Sequence, residues 1–221
     1  MFEQRIAGQR TIRFLGAVII AQMTLALGSA HADQGSGEAS YLFDRLLGSD
    51  AETQVDIVHQ LEEMGAAAVP ALVSAAGSSD KFRRHHAIEI LGRLGDDAEA
   101  AVPGLIAALD DPEPQIRRNA AWALGRIGGG ASDATSALLS AALDAEWDVR
   151  ADAVWAVGKV ASRAPSAATV DAMIEALDDP SHHVRWSAAW SLARFGTRAE
   201  AAIPALVERL RDPSPKLRAS A

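Results

Sequence analysis

The feature that most constrains this chain is a repeat. The stretch from Glu113 to Gly128, EPQIRRNAAWALGRIG, recurs before and after itself: with Arg117 as the zero mark, Arg84 opens RHHAIEILGRLG, Arg150 opens RADAVWAVGKVA, Arg185 opens RWSAAWSLARFG, and Arg218 begins a further copy. The intervals between these arginines are 33, 33, 35 and 33 residues. A unit of that size cannot bury its own apolar face, so the period predicts a stacked-helix array rather than one closed core.

An ideal helix turns about 100° per residue, which places each position of the unit around an axis. Relative to the Arg, positions −1, +3, +4, +7 and +10 are apolar and fall on one arc, the packed face. In the central copy these are Ile116, Ala120, Ala121, Leu124 and Ile127. Two Ala among the five let neighbouring helices approach closely. Gly125 at +8 lies on the edge of the arc, and Gly128 at +11 stands where a left-handed cap ends a helix. The Arg column lies in the middle of the buried arc, where a guanidinium requires a partner, so its role is structural.

Positions +1, +2, +5 and +9 lie on the opposite face. They read His85, His86, Glu89 and Arg93; then Arg118, Asn119, Trp122 and Arg126; then Ala151, Asp152, Trp155 and Lys159; then Trp186, Ser187, Trp190 and Arg194. The +5 column is Glu, Trp, Trp, Trp and the +9 column is basic throughout. Trp147 falls at the edge of the same face, so all five tryptophans belong to one helix type.

Composition agrees with a helical array. Of the 221 residues 49% are apolar, yet there is one Tyr and only five Phe and five Trp, and no run of alternating strands is present. The chain is expected to be all-α. Its formal charge is −8 and residues 1–32 hold three Arg against one Glu, so the remainder is more acidic still. An acidic array repels a phosphate backbone, and no nucleic-acid partner is expected. The absence of Cys excludes disulfides, thiolate metal sites and thiol catalysis.

Residues 1–32 read as a signal peptide: arginines, the apolar run FLGAVIIAQMTLAL, then small residues around Ala30-His31-Ala32. The run of about 14 residues falls short of the roughly 20 a spanning helix needs. Cleavage is expected after Ala32, with Ala30 second. An uncleaved anchor is the alternative and the only membrane contact foreseen. Either way the array is exported, to the periplasm or beyond. Residues 33–40 form a flexible lead, and Ser40 caps a short helix from Tyr41 to Leu47 that covers the first unit. In that unit Gln54 replaces the Arg, as befits the end of an array. Later units have a second helix, opened by Pro103 or Pro204, as by Pro70 in the first unit, and closed at Asp110-Asp111-Pro112, Asp178-Asp179-Pro180 or Arg211-Asp212-Pro213; the third copy, with Asp144-Ala145-Glu146 and no Pro, departs from this. The array occupies 41–221 as about five helix pairs. Its last copy stops three residues after Arg218, which suggests either a fragment or an end covered by another chain.

The unit IRRNAAWALGRIG with a following PGLIAALDDP resembles the HEAT repeat, in the short form first noted in phycobilin lyases. Arg84, Arg117, Arg150, Arg185, Gly92, Gly125, Gly158, Asp111, Asp179 and Asp212 sit where that family's repeat has them. The resemblance implies a right-handed α-solenoid of stacked antiparallel helix pairs, HEAT/armadillo-like. It also implies an Arg–Asp ladder from unit to unit, with the Arg-bearing helix on the concave side. Ala193 and Ala161 replace Gly of the pattern, implying looser packing there.

The functional expectation is a non-catalytic scaffold that takes a protein or peptide partner in a groove lined by Trp122, Trp155, Trp186, Trp190, Arg118 and Asn119 and rimmed by Arg93, Arg126, Lys159 and Arg194. Trp and Arg are enriched where binding energy concentrates, and an amphipathic helix, an extended acidic peptide or a glycan of the cell envelope could use them. Plain packing between units is the competing account of the tryptophans. His85-His86 and His182-His183 are not expected to hold a metal, because adjacent residues point about 100° apart. Deoxyhypusine hydroxylase, another HEAT-repeat family, binds two irons through His-Glu pairs; Arg84-His85-His86-Ala87 has the His but lacks the Glu, and Arg118-Asn119, Ala151-Asp152 and Trp186-Ser187 lack the His, so that iron site is expected to be absent. A phycobilin-lyase-like enzyme would be at odds with an export signal. No nucleophile elbow or triad stands out, and no cofactor is expected.

Overall fold

The structure, a computed structural model, describes residues 34–212. The signal-peptide reading of 1–32, its cleavage site and the copy beginning at Arg218 lie outside these residues. Among the described residues the protein is all-α, an α-solenoid in which long and short helices alternate. The long helices are α2 (Ala51–Met64), α4 (Lys81–Leu94), α6 (Pro114–Ile127), α8 (Trp147–Val160) and α10 (His182–Phe195), each of 14 residues. The short ones are α3 (Val69–Ala76), α5 (Val102–Ala108), α7 (Thr135–Ala141), α9 (Ala167–Glu175) and α11 (Ile203–Arg209).

A further helix, α1, spans 34–46 and precedes the first pair. It begins earlier than the Ser40 start expected, and residues 34–40 are helical rather than a loose lead. Ala39, Leu42, Phe43 and Leu46 explain the difference, because they form one buried stripe at helical spacing. A Cβ on Gly35 would stand 3.2 Å from that of Ala67, so the start of α1 rests on the turn that follows α2.

The expected packed face is the observed one: Ile116, Ala120, Ala121, Leu124 and Ile127 of α6 are all buried. The opposite face is half-buried or exposed except at Ala151 and Ser187, which are buried. Gly65, Gly95, Gly128 and Gly196 end four of the long helices with φ between 54° and 63°. Their ψ values, from −125° to −134°, lie outside the left-handed helical region expected for Gly128 and in backbone space open to Gly. The chain then turns through a 3-10 segment into the short helix, with Pro70, Pro103 and Pro204 in the first turn of α3, α5 and α11.

At Ala161 the same position has φ −93° and ψ 1°, so the Gly geometry is lost. The chain leaves α8 through an irregular turn, and the Ser166 hydroxyl accepts the Thr169 N–H at 3.1 Å to start α9. This detour accounts for the single 35-residue interval.

The long helices α4, α6, α8 and α10 touch their neighbours along their length, whereas α2 meets α4 only briefly and neighbouring short helices barely meet. A Cβ placed on Gly92 or Gly125 would be 3.1 Å from the Cα of Ala123 or Ala156 in the next helix. The closely spaced layer must lie on the inside of the curve, so the long helices line the concave surface.

The Arg column joins the units. Arg84 Nε donates to Asp111 Oδ2 at 2.7 Å, Arg117 to Asp144 at 2.7 Å, Arg150 to Asp179 at 2.7 Å and Arg185 to Asp212 at 3.0 Å, each with a second bond from Nη2. Asp144 is thus a rung of the ladder although its unit lacks the Asp-Asp-Pro sequence. Each Nη1 reaches back to the loop before its own helix: Arg117 to Asp111 O at 3.0 Å, Arg150 to Asp144 O at 2.8 Å and Arg185 to Asp179 O at 2.9 Å. Every interior Asp therefore takes one Arg on its carboxylate and the next on its carbonyl. Its carboxylate also receives the N–H of Glu113, Glu146 or Ser181, which fixes the entry to the next long helix. At the first unit both charges are replaced. Gln54 donates to the carbonyls of Leu46 and Ser49, and Ser78 accepts the Asp80 N–H.

Hydrogen bonding by Asp144, outweighing burial, raises the pKa of Arg117. The same bond, again against burial, holds the Asp144 carboxyl below the usual range. At Asp179 burial is the largest influence and opposes ionisation, but the Arg150 bond and the Ser181 N–H together outweigh it.

Candidate functional site

The concave face carries three tryptophans in register, and they are held differently. The Trp122 ring covers Gly92 and the Trp155 ring covers Gly125, each in the space a Cβ would need. Both indoles pack against the buried core while one side stays open. At the next step the position over Gly158 is taken by Ser191, whose Oγ donates to Val154 O at 2.9 Å. Trp190 instead lies along Trp155, with ring centroids 6.2 Å apart and planes inclined by 28°. Trp186 and Trp190 are half-buried and, among the described residues, do not join the partly buried side chains that pack on the core. Trp147 is apart from this group: it is 48% exposed and stacks on His183 at 4.8 Å. Core packing thus accounts for one side of Trp122 and Trp155, Trp190 rests on Trp155 alone, and among the described residues core packing does not account for Trp186.

The basic column lies beside the indoles. Arg126 stands 5.8 Å from the Trp122 centroid, Lys159 5.6 Å from Trp155 and Arg194 4.9 Å from Trp190, each from one turn further along the same helix. Arg194 also donates to Gly158 O at 3.1 Å. No carboxylate among the described residues forms an ion pair with these three cations. Arg93 differs, being held by Glu89 at 2.9 Å and Glu62 at 3.5 Å. The Glu89 hydrogen bond raises its pKa against burial. Arg118 pairs with Asp152 at 3.0 Å, and burial, only partly offset by that pair, pushes the Asp152 carboxyl up.

The face therefore has two halves. Toward the N-terminus the cations are neutralised by Glu62, Glu89 and Asp152; from Trp122 onward Arg126, Lys159 and Arg194 keep their charge available. The acidic partners were not singled out in the sequence, although Asp152 is the +2 residue that faces the +1 residue Arg118 one unit earlier.

Asn119 Nδ2 lies 3.2 Å from His85 Nδ1, and Gln115 Nε2 donates to Asn119 Oδ1 at 3.0 Å. These residues, with Glu89, Arg118, Trp122 and Asp152, line an open cleft of about 550 Å³. The expectation that His85 and His86 point apart omits Glu89, one turn on. Its Oε2 is 3.9 Å from His85 Nε2 and 4.0 Å from His86 Nδ1, so one nitrogen of each ring stands near the same carboxylate oxygen. Burial, and next the neighbouring His85, lower the pKa of His86, with Glu89 opposing. His182 and His183 lie ring to ring at 4.0 Å beside Trp147. Among the described residues no helix is long and apolar enough to cross a membrane.

The family model for HEAT repeats matches residues 84–158 and 135–221. No curated protein sequence matches the chain. Among solved structures, a designed armadillo repeat protein in complex with the peptide (KR)4 shares 19% identity, covering 83% of this chain and 96% of its own, with a TM-score of 0.63. A computationally designed armadillo repeat protein for modular peptide recognition shares 18% identity over 82% of this chain and 95% of its own, with a TM-score of 0.61. The complex of CpcE and CpcF of phycocyanin lyase from Nostoc sp. PCC7120 shares 23% identity over 70% of this chain and 95% of that one, with a TM-score of 0.55. At these identities the likeness is one of fold. The match to the repeat model extends over more than half of the chain, and the chain belongs to the HEAT-repeat family.

Proposed function

We propose that this HEAT-repeat protein is an exported, non-catalytic scaffold that binds an extended acidic peptide segment of a partner protein along its concave face. The observation that carries this reading is the set Trp186, Trp190, Lys159 and Arg194: among the described residues, indoles outside the packed core beside cations without an ion-pair carboxylate. Indoles give contact area at low entropic cost, and the cations set the sign of the partner's charge. The peptide-bound armadillo structure supports the mode of binding by its fold. The charge of its peptide is the opposite of the one proposed here, because Arg126, Lys159 and Arg194 would repel a (KR)4 segment. Export rests on the sequence pattern of residues 1–32.

The test is a pull-down from an envelope extract with the parent chain and a Trp186→Ala/Trp190→Ala variant of equal helicity as baits. Since, among the described residues, neither indole packs on the core, the variant is expected to fold. Retention of one protein by the parent and its loss by the variant supports the groove; identical retained material contradicts it. The likeness to the phycocyanin lyase complex shows fold alone, and an enzymatic role would need chemistry that the indole face does not supply.

A further inference from the structure

We propose that His85, His86 and Glu89 form a three-ligand site for a divalent transition metal of the zinc class, at the acidic half of the concave face. One ring nitrogen of each histidine and one carboxylate oxygen of Glu89 all lie within 4.8 Å of one another, and Glu89 Oε2 is 3.9 Å from His85 Nε2 and 4.0 Å from His86 Nδ1. Tetrahedral zinc with bonds of about 2.0–2.1 Å would set its ligand atoms roughly 3.3 Å apart. Rotations about side-chain torsions close the remaining gap, since all three residues project from one and a half turns of α4 and its backbone need not move.

Two nitrogens and one oxygen suit zinc, and also nickel and copper, better than calcium or magnesium. All three side chains are half-buried, which lowers the cost of stripping water from the ion compared with a fully exposed pair.

Each end of the site is oriented from outside. The second oxygen of Glu89 accepts from Arg93 Nη2 at 2.9 Å, which leaves Oε2 toward the histidines, and Glu62 at 3.5 Å offsets the charge of Arg93. His85 Nδ1 is held by Asn119, and Asn119 by Gln115. With a metal on Nε2 the His85 proton moves to Nδ1, and reversal of the Asn119 and Gln115 amides gives it an acceptor. Three protein ligands leave a fourth position open toward the cleft lined by Gln115, Arg118 and Trp122. The second histidine pair has no such arrangement. His182 and His183 lie ring to ring beside an indole, and no carboxylate forms a metal-ligating group with them among the described residues.

The experiment is a calorimetric titration of the metal-free full chain with Zn²⁺ in a non-chelating buffer at neutral pH, backed by the visible absorption of Co²⁺. The parent is expected to bind one equivalent. His85→Ala/His86→Ala and Glu89→Ala are expected to lose it by tenfold or more in affinity at unchanged helicity, Asn119→Ala to weaken it by about tenfold, and His182→Ala/His183→Ala to keep it. A parent that takes up no ion, or a His85→Ala/His86→Ala chain that binds as the parent does, overturns the assignment.

Discussion

Trp155 lies across Gly125: its Cε3 would be 2.8 Å from a Cβ at that glycine, with the Ala156 Cα 3.1 Å away. The indole that presents a face to the groove is therefore also the wedge that sets the spacing of α6 and α8. Binding surface and packing surface are two sides of one ring.

Gly125→Ala adds a methyl where the ring and a backbone atom already stand. Although Ala favours a helix by about 1 kcal/mol over Gly, overpacking of this kind costs about 1–3 kcal/mol, so net destabilisation is expected. In urea unfolding, Gly125→Ala and Trp155→Ala should not add: the double variant is expected to be more stable than the sum of the single changes implies. Strict additivity would mean that the ring and the glycine do not share the space.

Gly128→Ala tests a different cost. Nothing lies within 4 Å of the added Cβ, but φ is +63°. The penalty is conformational, about 1–3 kcal/mol. By contrast Ala161→Gly, at φ −93°, should bring no gain. Thermal melts of the two variants side by side decide the matter.

The ladder makes stability depend on acid. Arg117 and Asp144 are about 16% and 10% exposed, and the folded-state pKa of Asp144 lies below its ordinary value. A depressed carboxyl contributes fully above the unfolded value of about 3.9 and loses that contribution as pH falls through the folded value. Denaturant midpoints should hold near neutrality and drop below about pH 4. Asp144→Ala should cost about 1.5–3 kcal/mol at pH 7 and flatten the acid limb. An unchanged acid limb in that variant would remove the ladder as its cause.

Most of the fold was legible in the sequence because the repeat carries it. The buried set of α6 follows from positions −1, +3, +4, +7 and +10, and the Arg–Asp rungs were implied by the resemblance to the HEAT repeat. Asp144 was legible in spacing, 27 residues after Arg117 as Asp111 is after Arg84, but hidden by the loss of Pro from its loop. Helix α1 was misplaced because residues 33–40 read as a flexible lead with Ser40 as the cap; burial of Ala39 and Phe43 in the core overrides that local preference. The groove was harder to read. Angles on a helix put Trp122, Trp155 and Trp190 in one column, yet only the fold separates Trp190, displaced by Ser191, from the two rings seated on glycine. Likewise Glu89 was counted as a variation of the Trp column, and its place between His85 and His86 depends on rotamers that periodicity does not specify.

The most direct test of the groove is a selection of displayed random peptides on the full chain, followed by affinity measurement on the parent, on Trp186→Ala/Trp190→Ala and on Lys159→Glu/Arg194→Glu. The account predicts enrichment of acidic peptides with apolar residues between the charges. It also predicts a loss of tenfold or more in both variants, at unchanged helicity, and weaker binding at higher salt. Enrichment of basic peptides, or binders that hold all three proteins equally, would contradict it.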